Sequence, residues 1–365
     1  MIRNMSQNTI NKKNDIKKMT KYLSEYTGDD IKIMEVCGTH TAGIFKSGIR
    51  TFLSDKIKLI SGPGCPVCVT PTSFIDKCND YAMQDNHVVI SFGDMLKVPG
   101  GKYSLSNIKS LGGNVSMVYS PFDVISAAKR TPEITYIIAA VGFETTAPVF
   151  GLMIDELIKK EIKNIKFLTS LKSAIRAIDW VCTNEKSIDG FLCPGHVAVI
   201  TGEKPFDYLS EKYQRPFVIA GFEEQHILRA IYELVRDIES WRSENPKSFK
   251  SKNLYEEAVN LQGNTKAKQI TDKYFQTENI VWRGLGNISD SGYFIKDEYS
   301  RFDGGSRGLV HDKALPQGCR CSDVITGRID PDTCPMFGDK CNPVTPYGPC
   351  MVSAEGACGI WYQNI

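Results

Sequence analysis

Short apolar, β-branched runs recur along the first two thirds of the chain, each closed by a turn signal: Ile31–Val36, Ile57–Ser61, His87–Phe92 and Val115–Tyr119. Runs of this length bounded by Gly, Pro or Asn predict buried strands. Between them, Ser73–Met83, opened by Thr70-Pro71, and Ser120–Lys129 carry helical spacing. Strand and helix therefore alternate, as in a parallel sheet covered by helices. The pattern restarts with strand candidates at Ile134–Val141, Ile165–Thr169, Gly190–Cys193 with Val197–Ile200, and Phe217–Ala220, separated by helices over Ala147–Lys160 and Ser173–Cys182. Glu223–Ser240 follows with Ile227, Ile231, Leu234, Val235 and Ile238 on one stripe, an amphipathic helix. Polar residues over Ser240–Lys252 predict a linker, and Leu254–Phe275 reads as helical. After that, Gly284-Leu285-Gly286, Gly304-Gly305 and Pro316 break the chain into loops. The order of these runs predicts a polar extension over 1–22, a first α/β domain over 23–130, a second over 131–245 and a C-terminal region over 246–365.

With 365 residues and 42% hydrophobic content, the chain can bury two or three cores. Its 44 Lys and Arg nearly balance 42 Asp and Glu, so the field of the whole molecule argues neither for nucleic acid nor for an anionic membrane. Ile134–Val141 is far too short to span a bilayer, and the Lys- and Asn-rich residues 1–22 lack the apolar stretch of a secretory signal. A cytoplasmic protein is expected. Twelve cysteines in a reducing compartment point to metal binding or thiol redox chemistry.

Three constellations carry that chemistry. Cys37-Gly38-Thr39-His40 stands where the first strand ends, the side of a parallel sheet on which ligands bind. A nearby imidazole favours the thiolate form of Cys37 as nucleophile or metal ligand. A cysteine packed as a small hydrophobe beside a satisfied histidine accounts for the same residues. Gly62-Pro63-Gly64-Cys65-Pro66-Val67-Cys68 follows the second strand candidate. Its C-x-x-C reads as a redox dithiol, with half of a zinc site or an inert turn as alternatives. The third is the tail, where Cys319, Cys321, Cys334, Cys341, Cys350 and Cys358 lie among Pro and Gly with little apolar residue around them. Soft thiols there suit an iron–sulfur cluster, structural zinc being the alternative.

Weaker signals are Glu144 in Gly142-Phe143-Glu144-Thr145-Thr146, His196 in Cys193-Pro194-Gly195-His196-Val197, and Glu223 in Gly221-Phe222-Glu223, each after a strand candidate. Two α/β domains facing each other would bring them to one cleft with Cys37 and the dithiol, for polar contacts or proton transfer. Taken singly, each also reads as a loop or capping element. Cys78 and Cys182 read as buried packing residues. There is no P-loop and no G-x-G-x-x-G after a strand.

Taken in order, Cys37–Thr41, Gly62–Cys68, Gly142–Thr146, Pro194–Val197 and Cys350–Cys358 resemble the motif series of the HypD family of hydrogenase maturation factors. The resemblance runs from about residue 20 to the end. It implies two Rossmann-like α/β domains, a third domain carrying a [4Fe-4S] cluster, and a scaffold on which the Fe(CN)2CO unit of [NiFe]-hydrogenase is put together. It further implies that Cys37 helps hold the iron in a complex with a small HypC-like chaperone, and that a HypE-like protein supplies cyanide. Cys65 and Cys68 would be the redox pair, fed by way of the cluster. For the cluster, Cys321, Cys334, Cys341 and Cys350 resemble ferredoxin:thioredoxin reductase-type spacing, with Cys319 and Cys358 as alternates. An iron–sulfur thiol-disulfide reductase acting on a protein partner is the competing reading; it leaves Cys37 and His40 without a role.

Overall fold

The computed structural model describes residues 14–244, 250–312 and 316–365. Its strands are β1 Ile31–Glu35, β2 Ile57–Ser61, β3 His87–Ser91, β4 Val115–Met117, β5 Thr135–Gly142, β6 Ile165–Lys172, β7 Gly190–Pro194, β8 Phe217–Ala220, β9 Lys252–Asn253, β10 Phe275–Trp282 and β11 Gly286–Ile295. The described residues up to 64 and from 181 to 263 form one compact unit; 65–180 and 264–363 form another.

The first unit holds an all-parallel sheet in the order β2-β1-β7-β8-β9. Ile33 stands in register with Leu59 on one side and Gly190 on the other. The helix Glu224–Glu244 lays its predicted stripe against this sheet, and Ile227, Ile231, Leu234, Val235 and Ile238 are all fully buried. Residues 14–24 are helical, and Ile16, Met19 and Leu23 pack onto the same core. The polar extension expected over 1–22 is therefore corrected from residue 14 onward, because an apolar position every third or fourth residue is hidden among the lysines. Residues 1–13 lie outside the described part.

The second unit holds a mixed sheet in the order β10-β11-β6-β5-β3-β4. Its four inner and edge strands β6, β5, β3 and β4 run parallel, and β11 and β10 add antiparallel. Both faces are covered: Ile138, Ala140, Phe150 and Phe167 belong to one core, Ile137, Ala139, Val89 and Phe74 to the other. Side chains alternate between faces along a strand, so a sheet buried on both sides demands the continuous apolar run seen at 135–142.

The expected α/β class with two parallel-sheet units holds, but the allocation of strands does not. The pattern groups β1 to β4 together, whereas β7 and β8 complete the sheet of β1 and β2, and β5 and β6 that of β3 and β4. Apolar runs encode burial and carry no label for the pairing partner. Val197–Ile200 is part of a helix, Gly195–Thr201, because Pro194-Gly195 ends β7 there. The helix expected over 254–275 is confined to Thr265–Tyr274, capped by the Asn264 side chain. The loops expected after it are a long hairpin, β10 and β11, whose turn uses Gly284 and Gly286 at φ 78° and 82°. The linker expected over 240–252 is helical to Glu244; residues 245–249 lie outside the described part. The tail is short helical turns, and its residues up to 363 belong to the second unit.

Candidate functional site

In the first unit, β1 runs out at Glu35 and the chain turns into the helix Gly38–Lys46, with Cys37 as its extended N-cap residue. Residue 37 thus stands at the positive end of the helix, where an anion is favoured. Cys37 is half-buried. The loop after β2 presses on it from below: a methyl group on Gly64 would come within 2.6 Å of the Cys37 nitrogen. Only glycine lets the two backbones approach so closely.

His40, one turn into that helix, is fully buried. Its Nε2 lies 3.1 Å from the Gly221 carbonyl oxygen, and its Nδ1 has no hydrogen-bond partner. Burial holds its pKa down at about 4, so the ring is neutral near pH 7. Phe222, which sequence reasoning passed over, stacks on His40 at 4.7 Å between centroids and on the exposed His196 at 3.9 Å. Glu223 is exposed and precedes the helix Glu224–Glu244. Behind the loop, the buried Glu35 accepts hydrogen bonds from Ser61 at 3.1 Å and Arg50 at 3.2 Å. Burial nonetheless pushes its pKa up to about 6.

Cys65, Cys68 and Glu144 belong to the second unit. Cys65 and Cys68 are joined in a disulfide, with Cα atoms 5.3 Å apart, and the Cys68 sulfur lies 3.8 Å from the Pro349 carbonyl oxygen. Glu144 is buried and accepts from the Ser173 hydroxyl at 2.7 Å and from the backbone N–H groups of Ala174 and Ile175 at 3.0 and 3.3 Å. Those donors open the helix Ala174–Asn184, so Glu144 caps a helix across the strand ends. Burial raises its pKa despite these bonds.

Four tail sulfurs meet. All are free thiols: Cys321 is hydrogen-bonded to Cys319, Cys350 and Cys358, and Cys350 also to Cys358. Gly348 is pressed against the sulfurs of Cys321 and Cys319. Cys341 is buried, receives the Tyr347 N–H at 3.4 Å, and feels the charges of Cys321 and Cys319. The Cys334 sulfur instead faces the Gly318 carbonyl at 4.0 Å. Hydrogen bonds from Cys321 and Cys350 lower the Cys358 thiol to about 6, while Cys350 and Cys319 are raised. Among the described residues no group of three or more His, Cys, Asp or Glu side chains is set out to hold a metal ion. As a donor set the tail thiols fit a soft, thiolate-bound group such as an iron–sulfur cluster, because several are buried in contact and a buried guanidinium, Arg283, feels Cys321, Cys319 and Cys350. Arg283 carried no sequence signal: a lone Arg beside Gly-Leu-Gly resembles any turn residue.

Residues 12–365 match the family described as hydrogenase formation hypA family, HypD. The chain belongs to the HypD family. It is 35% identical over 356 residues to the hydrogenase maturation factor HypD of Escherichia coli K12, covering 95% of this chain and 93% of that one. It is 34% identical over 362 residues to the HypD of Rhodobacter capsulatus, covering 96% and 93%. The HypD of Cupriavidus necator is 34% identical over 347 residues, covering 92% and 90%. Membership in the HypD family places the chain in hydrogenase maturation. Among the described residues, no helix is long and apolar enough to cross a membrane.

Proposed function

We propose that the protein is a redox-active assembly scaffold for the Fe(CN)2CO unit of [NiFe]-hydrogenase, working in the cytoplasm. The observation that carries this reading is Cys37 at a helix N-terminus with the neutral, buried His40 one turn on. Iron bearing cyanide and carbonyl is a soft cargo that thiolate sulfur suits. Cys37 would bind it, and Phe222, packed between His40 and His196, would fix the imidazoles beside it. A HypC-like chaperone would share the iron and a HypE-like protein would deliver cyanide.

Cys65 and Cys68 form the dithiol, able to give two electrons when reduced. When bound, a [4Fe-4S] cluster on the tail supplies electrons singly. Cys321, Cys341 and Cys350 are assigned to it from the expected set; the sulfur contacts favour Cys319 or Cys358 over Cys334 as the fourth ligand.

Infrared spectroscopy of the complex isolated anaerobically with its small chaperone tests the reading. Cyanide and carbonyl stretching bands are expected in the wild type and absent from Cys37→Ala. A folded wild-type complex without them would sink the scaffold. The bridged Cys65–Cys68 pair also supports a thiol-disulfide reductase. Turnover of a disulfide substrate that survives Cys37→Ala and disappears in Cys65→Ser would favour it.

A further inference from the structure

We propose that Arg283 is the counter-charge of the tail cysteine cluster, a positioning residue that raises the reduction potential of the iron–sulfur group those thiolates hold. This rests on the cluster reading above. Arg283 follows β10 and is 2% exposed. Its backbone N–H donates to Val69, next to Cys68, at 2.9 Å, and its Nη1 donates to the Pro99 carbonyl at 2.8 Å. Its Nε is buried without a partner. The following Gly284 packs against Ser322, with an added Cβ 3.1 Å from the Ser322 Cβ, which places this turn beside Cys321.

A buried cation needs an anion, and Arg283 makes no ion pair among the described residues. The groups whose fields reach it are Asp312, Cys321, Cys319 and Cys350. Asp312 is engaged elsewhere, accepting from the Thr72 and Gly284 N–H groups at 3.1 and 3.2 Å. Among the described residues the same carboxylate also reaches the buried Lys172, whose pKa burial pulls down to about 7 and whose Nζ donates to Ser170 at 2.7 Å and lies 5.8 Å from the Trp282 ring. Asp312 is thus shared and already bonded, and the thiols of Cys321, Cys319 and Cys350 are the other groups whose charges act on Arg283. A cluster on four thiolates is anionic and gains one more negative charge on reduction. A fixed guanidinium beside it therefore favours the reduced form.

The test is a spectroscopically monitored redox titration of full-length, anaerobically purified protein with dithionite; one electron enters the cluster and no bond is made or broken. Iron and sulfide are assayed in every sample. Arg283→Met is expected to retain both and to shift the reduction equilibrium at least about tenfold toward the oxidised form, 59 mV lower for a one-electron couple. Arg283→Lys should restore most of that shift. Asp312→Asn, which removes the competing carboxylate, should shift the midpoint upward. An Arg283→Met protein with full iron and sulfide and an unmoved midpoint overturns the inference while leaving the cluster intact. Should Arg283→Met fail to fold, an unmoved or lowered midpoint in Asp312→Asn overturns it equally. Wild-type protein free of iron and sulfide overturns the cluster reading, and Arg283's role with it.

Discussion

At the scale of single residues, the first unit sets two buried titratable groups against each other. His40 binds its proton less tightly when folded, with a pKa of about 4 against an ordinary 6.5, so its contribution is lost as pH falls through that window. Glu35 binds its proton more tightly, at about 6 against 4.5, so its contribution is present at low pH and lost as pH rises through 6. At 1.36 kcal/mol per pH unit the histidine is worth about 3 kcal/mol and the carboxylate about 2 kcal/mol. Urea unfolding from pH 4 to 7 should show stability rising less with pH in His40→Gln than in the wild type, because the opposing Glu35 effect is left. An unchanged slope in His40→Gln means the ring is not buried as described.

At the scale of elements, the helix Glu224–Glu244 is the main cover of the first sheet, with five apolar side chains at 0% exposure over β1, β7 and β8. Leu234→Ala removes a buried isobutyl group and leaves a cavity, with a cost of about 3 kcal/mol. Chemical denaturation should move by that amount, with a smaller effect for an exposed position of the same helix such as Arg229. Equal effects at the two positions would refute the packing described. The second unit gains its extra strands from the hairpin β10–β11, a pair the glycines at 284 and 286 obscured in the sequence. Glycine marks both a loop and a tight hairpin turn, and only the partner strand tells them apart.

For the whole molecule, the near balance of charge leaves function to local sites, and the tail is where composition departs most from a self-sufficient core. Iron analysis of single Cys→Ser variants addresses it. Cys350→Ser, which removes the thiol hydrogen-bonded to both Cys321 and Cys358, should lose most of the iron, whereas Cys334→Ser should keep most of it. Loss on Cys334→Ser with retention on Cys350→Ser would reverse the assignment.

The linear chain by itself determined where β1 to β8 lie, the stripe of the long helix, and the segments that carry Cys37, the Cys65–Cys68 pair and the tail thiols. Each follows from short-range rules: periodicity, turn residues and thiol spacing act within a few positions. Tertiary structure alone decided that β7 joins β1, that Glu144 caps a distant helix, that Phe222 lies between two histidines and that Arg283 stands beside the cysteines. Those relations depend on which surfaces meet across tens to hundreds of residues, and local hydrophobic patterning is the same whichever partner a buried face finds.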